Sequence, residues 1–279
     1  MSTHPRIGIV GLGLIGSSLG LDFCAQGLTV VGVSRREATC QQAVARGVVT
    51  RAQTDFSILA AVDIVFVCTP LAAILPTVEQ LTANLPSDAI ITDVGSVKSA
   101  IVASASPLWP HFIGGHPMAG NEQQGIAAGQ RGLFIGAPYV LTPTATTLPR
   151  VLQTVSGLAR SLGSQVITCS PEAHDRAVAW VSHLPVMVSA SLIAACLAEP
   201  DRPLAQRLAS SGFRDTSRVG GGNPELGVMM ARYNRSHLRR SLLEYRRRLD
   251  EIIDYIEQED WQSLEALLQV VHQTRTPFL

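Results

Sequence analysis

The run Gly11-Leu12-Gly13-Leu14-Ile15-Gly16, set directly after the short apolar stretch Arg6–Val10, constrains this chain more than any other segment. A G-x-G-x-x-G turn between a strand and a helix is the phosphate-binding turn of a dinucleotide fold. The first glycine makes the tight turn and the second lets the backbone approach a pyrophosphate. The third permits close helix–strand packing. The helix that follows offers free N–H groups and partial positive charge to an anion. That helix is predicted from about Leu14 to Gln26, with Gly27 suited to a left-handed C-terminal cap.

The rest of the first half repeats this grammar. Leu28–Val33, Asp63–Cys68 and Asp88–Asp93 are continuous apolar strands with helical stretches between them, including Glu37–Arg46 and Leu71–Leu81. Phe112-Ile113, Tyr139–Thr142 and Gln165–Thr168 complete the strands. Apolar strands alternating with helices signal a parallel sheet covered on both faces. After Thr168 the pattern becomes helical throughout. Ser170-Pro171 and Asn223-Pro224 are strong helix starts, the second opening a helix expected to reach about Glu257, and Trp261–Gln273 is another amphipathic helix. The expectation is an α/β protein: a Rossmann-type doubly wound parallel sheet over residues 1–168 and an all-helical domain over 169–279.

Composition narrows the function. Lys and Arg together number 22 and Asp and Glu number 22, so no net field favours nucleic acid or an anionic membrane. The longest apolar stretches, such as Val186–Leu197, read as too short to span a bilayer, and no signal peptide is expected before the first strand. Five scattered cysteines without a C-x-x-C pair fit reduced thiols, not a metal site. A cytoplasmic protein with a small-molecule substrate is expected. Of the 22 basic residues only Lys98 is a lysine, which marks either chance or a place where a guanidinium does not fit.

Two features refine the cofactor. After the second strand, where an NAD enzyme places an acid for the ribose hydroxyls, this chain has Ser34-Arg35-Arg36. A hydroxyl followed by two guanidiniums suits a ribose phosphate, hence NADP; a solvated basic turn with ordinary NAD binding is the alternative. Cys68-Thr69-Pro70 lies where the strand order should reverse, the place where such sheets bind ligands. Cys68 itself reads as a small apolar filler.

A candidate base stands in Gly114-Gly115-His116-Pro117, at a strand end beside conformationally permissive glycines. A neutral imidazole is suited to proton abstraction near neutrality. In the helical half, His183 precedes Pro185, which deprives the Val181 carbonyl of its helical donor. The segment Ser211–Gly222 reads as a loop rich in anion-binding groups, among them Arg214 and Arg218.

The pieces Val10–Gly16, Asp93-Val-Gly-Ser-Val-Lys98, Gly115-His-Pro-Met-Ala-Gly120, Ser182-His-Leu-Pro185 and Phe213-Arg-Asp-Thr-Ser-Arg218 together resemble the prephenate/arogenate dehydrogenase family, and with Ser34-Arg35 the NADP-dependent arogenate dehydrogenases of cyanobacterial type. The resemblance implies oxidative decarboxylation of a cyclohexadienol, with His116 as base and Ser96 orienting the hydroxyl. It also implies His183 and Arg218 on the substrate, with Arg214 secondary, and a homodimer formed through the helical domain. Plainer roles stand beside these: Ser96 capping a helix from Val97, His183 as a core histidine, Arg214–Asp215 as a local ion pair. Prephenate as substrate is the second enzyme reading, and a catalytically silent NADP-sensing protein is a reading of another class.

Overall fold

Side chains alternating along a strand buried on both faces feed two hydrophobic clusters, and this sheet is built that way. The computed structural model describes residues 5–121 and 123–276. Its first part runs β1 (Ile7–Val10), α1 (Leu14–Ala25), β2 (Val30–Val33), α2 (Glu37–Ala45), β3 (Arg51–Gln53), β4 (Ile64–Val67), α3 (Leu71–Leu81), β5 (Ile90–Asp93), α4 (Ser99–Leu108), β6 (Phe112–Pro117), β7 (Pro138–Thr142), α5 (Pro149–Ser161) and β8 (Gln165–Thr168). Along β4, Ile64 and Phe66 enter one cluster with Leu19 and Phe23 of α1 and Val151 and Val155 of α5. Val65 and Val67 enter the other, with Ile74 and Val78 of α3 and Ile101 and Val102 of α4.

The strand order is β3-β2-β1-β4-β5-β6-β7-β8. Strand β1 pairs in parallel with both β2 and β4, so the chain changes direction of growth there and opens a crevice at the strand ends. The sheet is parallel except for one ladder: β6 runs antiparallel to β7 from Gly114 to Pro117. Strand β6 is laddered to β5 only at Phe112 and Ile113. Its second half, carrying His116, therefore projects past the end of β5.

Beyond β8 the described chain is helical: α6 (Pro171–Val178), a π-helical turn (Ala179–His183), α7 (Leu184–Leu197), α8 (Arg202–Leu208), α9 (Ser211–Ser217) and α10 (Pro224–Tyr233). The expected caps form: Ser170 Oγ accepts from the Ala173 N–H (3.1 Å), and Asn223 Oδ1 from the Glu225 N–H (2.9 Å). Three expectations are corrected. The segment Ser211–Gly222 is no loop but α9 followed by a 3-10 turn (Arg218–Gly221), drawn onto α7 because Gly220 lets the backbones of the two segments touch at Ser189–Ala190. The helix expected from Pro224 to Glu257 breaks at Asn234 (φ −116°, ψ 33°). And the apolar stretch reckoned too short to span a bilayer belongs to one helical run of 27 residues, Pro171–Leu197, within which an 18-residue window has a mean hydropathy of 1.7. Length and composition would allow that run to cross a membrane, because Pro185 sits in the first turn of α7, where its missing N–H does not end the helix.

The chain divides into two compact units between Asn234 and Arg235. The second consists of α11 (Arg235–Glu257) and α12 (Trp261–Thr274). On α11 the consecutive arginines Arg246, Arg247 and Arg248 are laced by ion pairs, Arg247–Glu244 (2.7 Å) and Arg248–Glu251 (3.0 Å), the pattern of a solvated helix face.

Candidate active site

The glycine turn forms as expected at the end of β1. Gly11 has φ +97°, and a Cβ there would lie 2.5 Å from the Cys68 carbonyl oxygen, so β1 and β4 close on each other only through a glycine. A Cβ on Gly13 would meet nothing within 4 Å, so the backbone at the N-terminus of α1 faces open space. That cradle fits the pyrophosphate of a dinucleotide. At the tip of β2, Ser34 Oγ accepts from the Arg36 N–H (3.4 Å), at the start of α2. Arg35 and Arg36 are exposed and, among the described residues, neither guanidinium is paired. The Thr69 Oγ1 after β4 is buried without a hydrogen-bond partner, an orphan suited to a ligand. The Cys68 thiol is pushed far up by burial and by the neighbouring Asp93, so it is no nucleophile.

His116 is 8% exposed and stands on the projecting half of β6. The glycines before it serve packing: a Cβ on Gly114 would lie 2.4 Å from Thr142 Oγ1, and one on Gly115 2.7 Å from the Asp93 carbonyl. Lys98, the single lysine, is fully buried; it forms an ion pair with Asp93 and donates to the Gly115 carbonyl (2.7 Å). Asp93 also accepts from the Gly115 N–H (3.2 Å) and the Gly95 N–H (2.8 Å). The backbone before His116 is thus clamped by a buried charge pair, each member of which bonds Gly115.

Behind His116 lies a chain that the sequence reading missed. His116 Nδ1 is 2.8 Å from His174 Nε2, and His174 Nδ1 is 2.8 Å from Asp175 Oδ1. The Asp175 carboxylate also accepts the Lys98 N–H (2.7 Å) and the Ser99 N–H (2.8 Å), capping α4 from a different helix. Burial alone would raise the Asp175 carboxyl, but the hydrogen bonds from His174, Ser99 and Lys98 hold it below the ordinary carboxylate range. An ionised carboxylate only accepts, so His174 donates from Nδ1 and a neutral His174 presents its Nε2 lone pair to His116 Nδ1–H. A neutral His116 then has a bare Nε2. Burial, followed by the influence of His174, Lys98 and His183, holds His116 well below its usual pKa, so the imidazole is neutral at pH 7.

Ser96 does not cap α4, which begins at Ser99 and takes its cap from Asp175; the Ser96 Oγ is buried and unpartnered. His183, fully buried, ends the π turn between α6 and α7, a distortion frequent at functional sites. Its Nδ1 is 3.2 Å from Asn234 Nδ2, and its Nε2 has no partner. Burial above all holds its pKa down at about 4, with His174 acting in the same sense and Asp175 and the Ser96 backbone opposing. His116, Ser96 and His183 are thereby brought to one neighbourhood. Arg214 and Arg218 are exposed on α9 and the turn after it, Arg214 beside Asp215 (3.6 Å). Among the described residues, no hydrogen bond or ion pair joins either arginine to the histidines.

The site can do acid–base chemistry: it holds one neutral imidazole backed by a carboxylate, next to unpartnered polar atoms. Among the described residues, no three His, Cys, Asp or Glu side chains are grouped to hold a metal. A family model for the nucleotide-binding domain of prephenate dehydrogenase matches residues 19–168, and one for the prephenate dehydrogenase dimerization domain matches residues 170–270. A prephenate dehydrogenase of Bacillus subtilis is 33% identical over 264 residues, covering 92% of this chain and 71% of that protein. The crystal structure of Synechocystis arogenate dehydrogenase is 52% identical with a TM-score of 0.88, over 98% of this chain and all of the other. That of prephenate dehydrogenase from A. aeolicus, in complex with hydroxyphenyl propionate and NAD+, is 26% identical with a TM-score of 0.93, over 100% and 99%.

Proposed function

Since the chain belongs to the prephenate dehydrogenase family, we propose that it is an NADP-dependent arogenate dehydrogenase, converting L-arogenate to L-tyrosine with His116 as general base. The observation that carries the reading is the chain His116–His174–Asp175, which leaves one nitrogen of a neutral imidazole able to accept a proton. Arogenate is favoured by the likeness to the Synechocystis enzyme, and NADP by Ser34-Arg35-Arg36 in place of an acid.

The turn Gly11-Leu12-Gly13-Leu14-Ile15-Gly16 would hold the pyrophosphate with backbone N–H groups. Ser34, Arg35 and Arg36 would hold the ribose phosphate, and Cys68, Thr69 and Pro70 would flank the dinucleotide at the crevice. When bound, the dinucleotide supplies the two-electron acceptor for the ring carbon that bears the hydroxyl. His116 Nε2 takes the hydroxyl proton as that carbon becomes a carbonyl carbon. The new positive charge is shared through His174 with Asp175, much as a buried carboxylate steadies an imidazolium in a hydrolase triad. Ser96 Oγ orients the hydroxyl, and His183 donates a hydrogen bond from the helical side. Arg218 clamps a substrate carboxylate with its planar fork, with Arg214 in a lesser role. Loss of carbon dioxide and enolisation then make the ring aromatic.

A homodimer formed by the helical part from 169 onward suits the matched dimerization domain. It also suits the apolar groove of about 550 Å³ lined by Ile193, Leu197, Leu208 and Phe213. A cytoplasmic location goes with this reading. The second reading, prephenate dehydrogenase, is favoured by the B. subtilis and A. aeolicus relatives.

Steady-state kcat/KM for arogenate and prephenate, each with NADP and NAD, decides between them. Arogenate with NADP should be fastest; equal or faster turnover of prephenate with NAD overturns the proposal. His116→Asn should abolish turnover and leave NADP affinity within about twofold. No turnover of any pair would leave the NADP-sensing reading.

A further inference from the structure

Asn234 carries none of the roles above, yet it is 2% exposed at the point where the helical chain breaks. Its Nδ2 lies 2.8 Å from the Asp175 carbonyl oxygen and 3.2 Å from His183 Nδ1. We propose that Asn234 is a positioning residue that fixes His183 with its proton on Nε2, so that His183 meets the substrate as a hydrogen-bond donor. The inference rests on the reading of this site as the one that binds substrate.

The argument starts from the carbonyl. A backbone carbonyl oxygen only accepts, so the Asn234 atom facing it is the amide nitrogen; the flipped amide would set two acceptors against each other. That nitrogen has two hydrogens. One is spent on Asp175, and the other reaches His183 Nδ1, which must then offer a lone pair. A neutral imidazole with a bare Nδ1 carries its hydrogen on Nε2. The imidazolium is disfavoured too, because it would turn a hydrogen toward the amide's own.

The Nε2–H so defined is buried with no partner of hydrogen-bond geometry. The Ser96 backbone lies close enough to His183 to favour the charged ring, but no group among the described residues meets hydrogen-bond geometry at Nε2. A buried donor left unpaired is costly, which makes this one a place for a ligand oxygen. The same reasoning gives a neutral His116 the opposite tautomer, and both trace to Asp175: its carboxylate acts on His116 through His174, and its carbonyl on His183 through Asn234. One residue of α6 thus gives two neighbouring imidazoles opposite polarity, acceptor and donor.

Long-range 1H–15N spectra of the full-length protein at pH 7 test this, with the His183 signals identified by their loss in His183→Gln. The expected pattern is a protonated Nε2 and a bare Nδ1. In Asn234→Leu the His183 pattern should change to the other tautomer or a mixture. Its kcat/KM should fall about ten- to a hundredfold, as for a lost hydrogen bond to a polar or charged acceptor, while NADP affinity holds. A wild-type proton on Nδ1, or an unchanged tautomer in Asn234→Leu, overturns the proposal; so does unchanged kcat/KM once the tautomer is lost. Should Asn234→Leu fail to fold, the wild-type spectrum still decides. Because the spectrum needs no substrate, absence of turnover by the wild type would sink the proposed function without touching this test.

Discussion

Acid should destabilise this protein through His183, by an amount the structure sets. The imidazole is fully buried, and its pKa is pushed from 6.5 to about 4 in the folded protein. Its folded pKa lies below its unfolded one, so its contribution to stability is present above pH ~6.5 and is lost as pH falls through about 4. Between pH 7 and pH 5 the unfolded state takes up nearly a full proton that the folded state refuses. At about 1.4 kcal/mol per pH unit, the loss over that interval comes to about 2 kcal/mol from this one ring. The measurement is urea unfolding at pH 7 and pH 5 for the wild type and His183→Gln, followed by tryptophan fluorescence and circular dichroism with coincident transitions required. The wild type should lose about 2 kcal/mol more than the variant over the interval. Parallel losses, within about 0.5 kcal/mol, would refute the reasoning, since the ring would then titrate as freely as in the unfolded chain.

Two further substitutions separate cofactor binding from folding. Gly13→Ala places its Cβ in open space, so thermal stability should hold while NADP affinity falls at least tenfold. Gly16→Ala would place its Cβ 2.0 Å from the Gly11 carbonyl oxygen, so it should lower Tm as well; equal behaviour of the two variants would remove the cradle argument. Lys98→Met strands the buried Asp93 carboxylate. The expected cost in urea is about 3–5 kcal/mol, and a loss under about 1 kcal/mol would show that Asp93 is satisfied by Gly95 and Gly115 alone.

The site was half legible in the sequence because only half of it is local. The strand β3 went unread because Arg51-Ala52-Gln53 is three residues long and exposed at both ends, with no apolar pattern to detect. The break at Asn234 was missed because no glycine or proline marks it; the amide is turned instead toward Asp175 and His183, 59 and 51 residues away. His174 and Asp175 gave no signal beyond adjacency after a helix cap. Their meaning depends on α6 meeting the start of α4 and the projecting end of β6. The glycines beside His116 have a packing reason that the sequence did not reveal: they admit Thr142 and Asp93.

The doubly wound sheet and the glycine turn after its first strand were already legible in the sequence, which also singled out His116, Ser96 and His183 as candidates. These follow from short-range periodicity, turn chemistry and spacing, which act within a few residues along the chain. Which way each imidazole is polarised, and what the single lysine Lys98 meets, depend instead on the tertiary structure. A proton's place on a ring is set by the partner on its other side, and here every such partner comes from a distant element or from a residue the local pattern leaves unmarked. Lys98 is buried with its compact ammonium between the Asp93 carboxylate and the Gly115 carbonyl, partners that the fold brings together from β5 and β6.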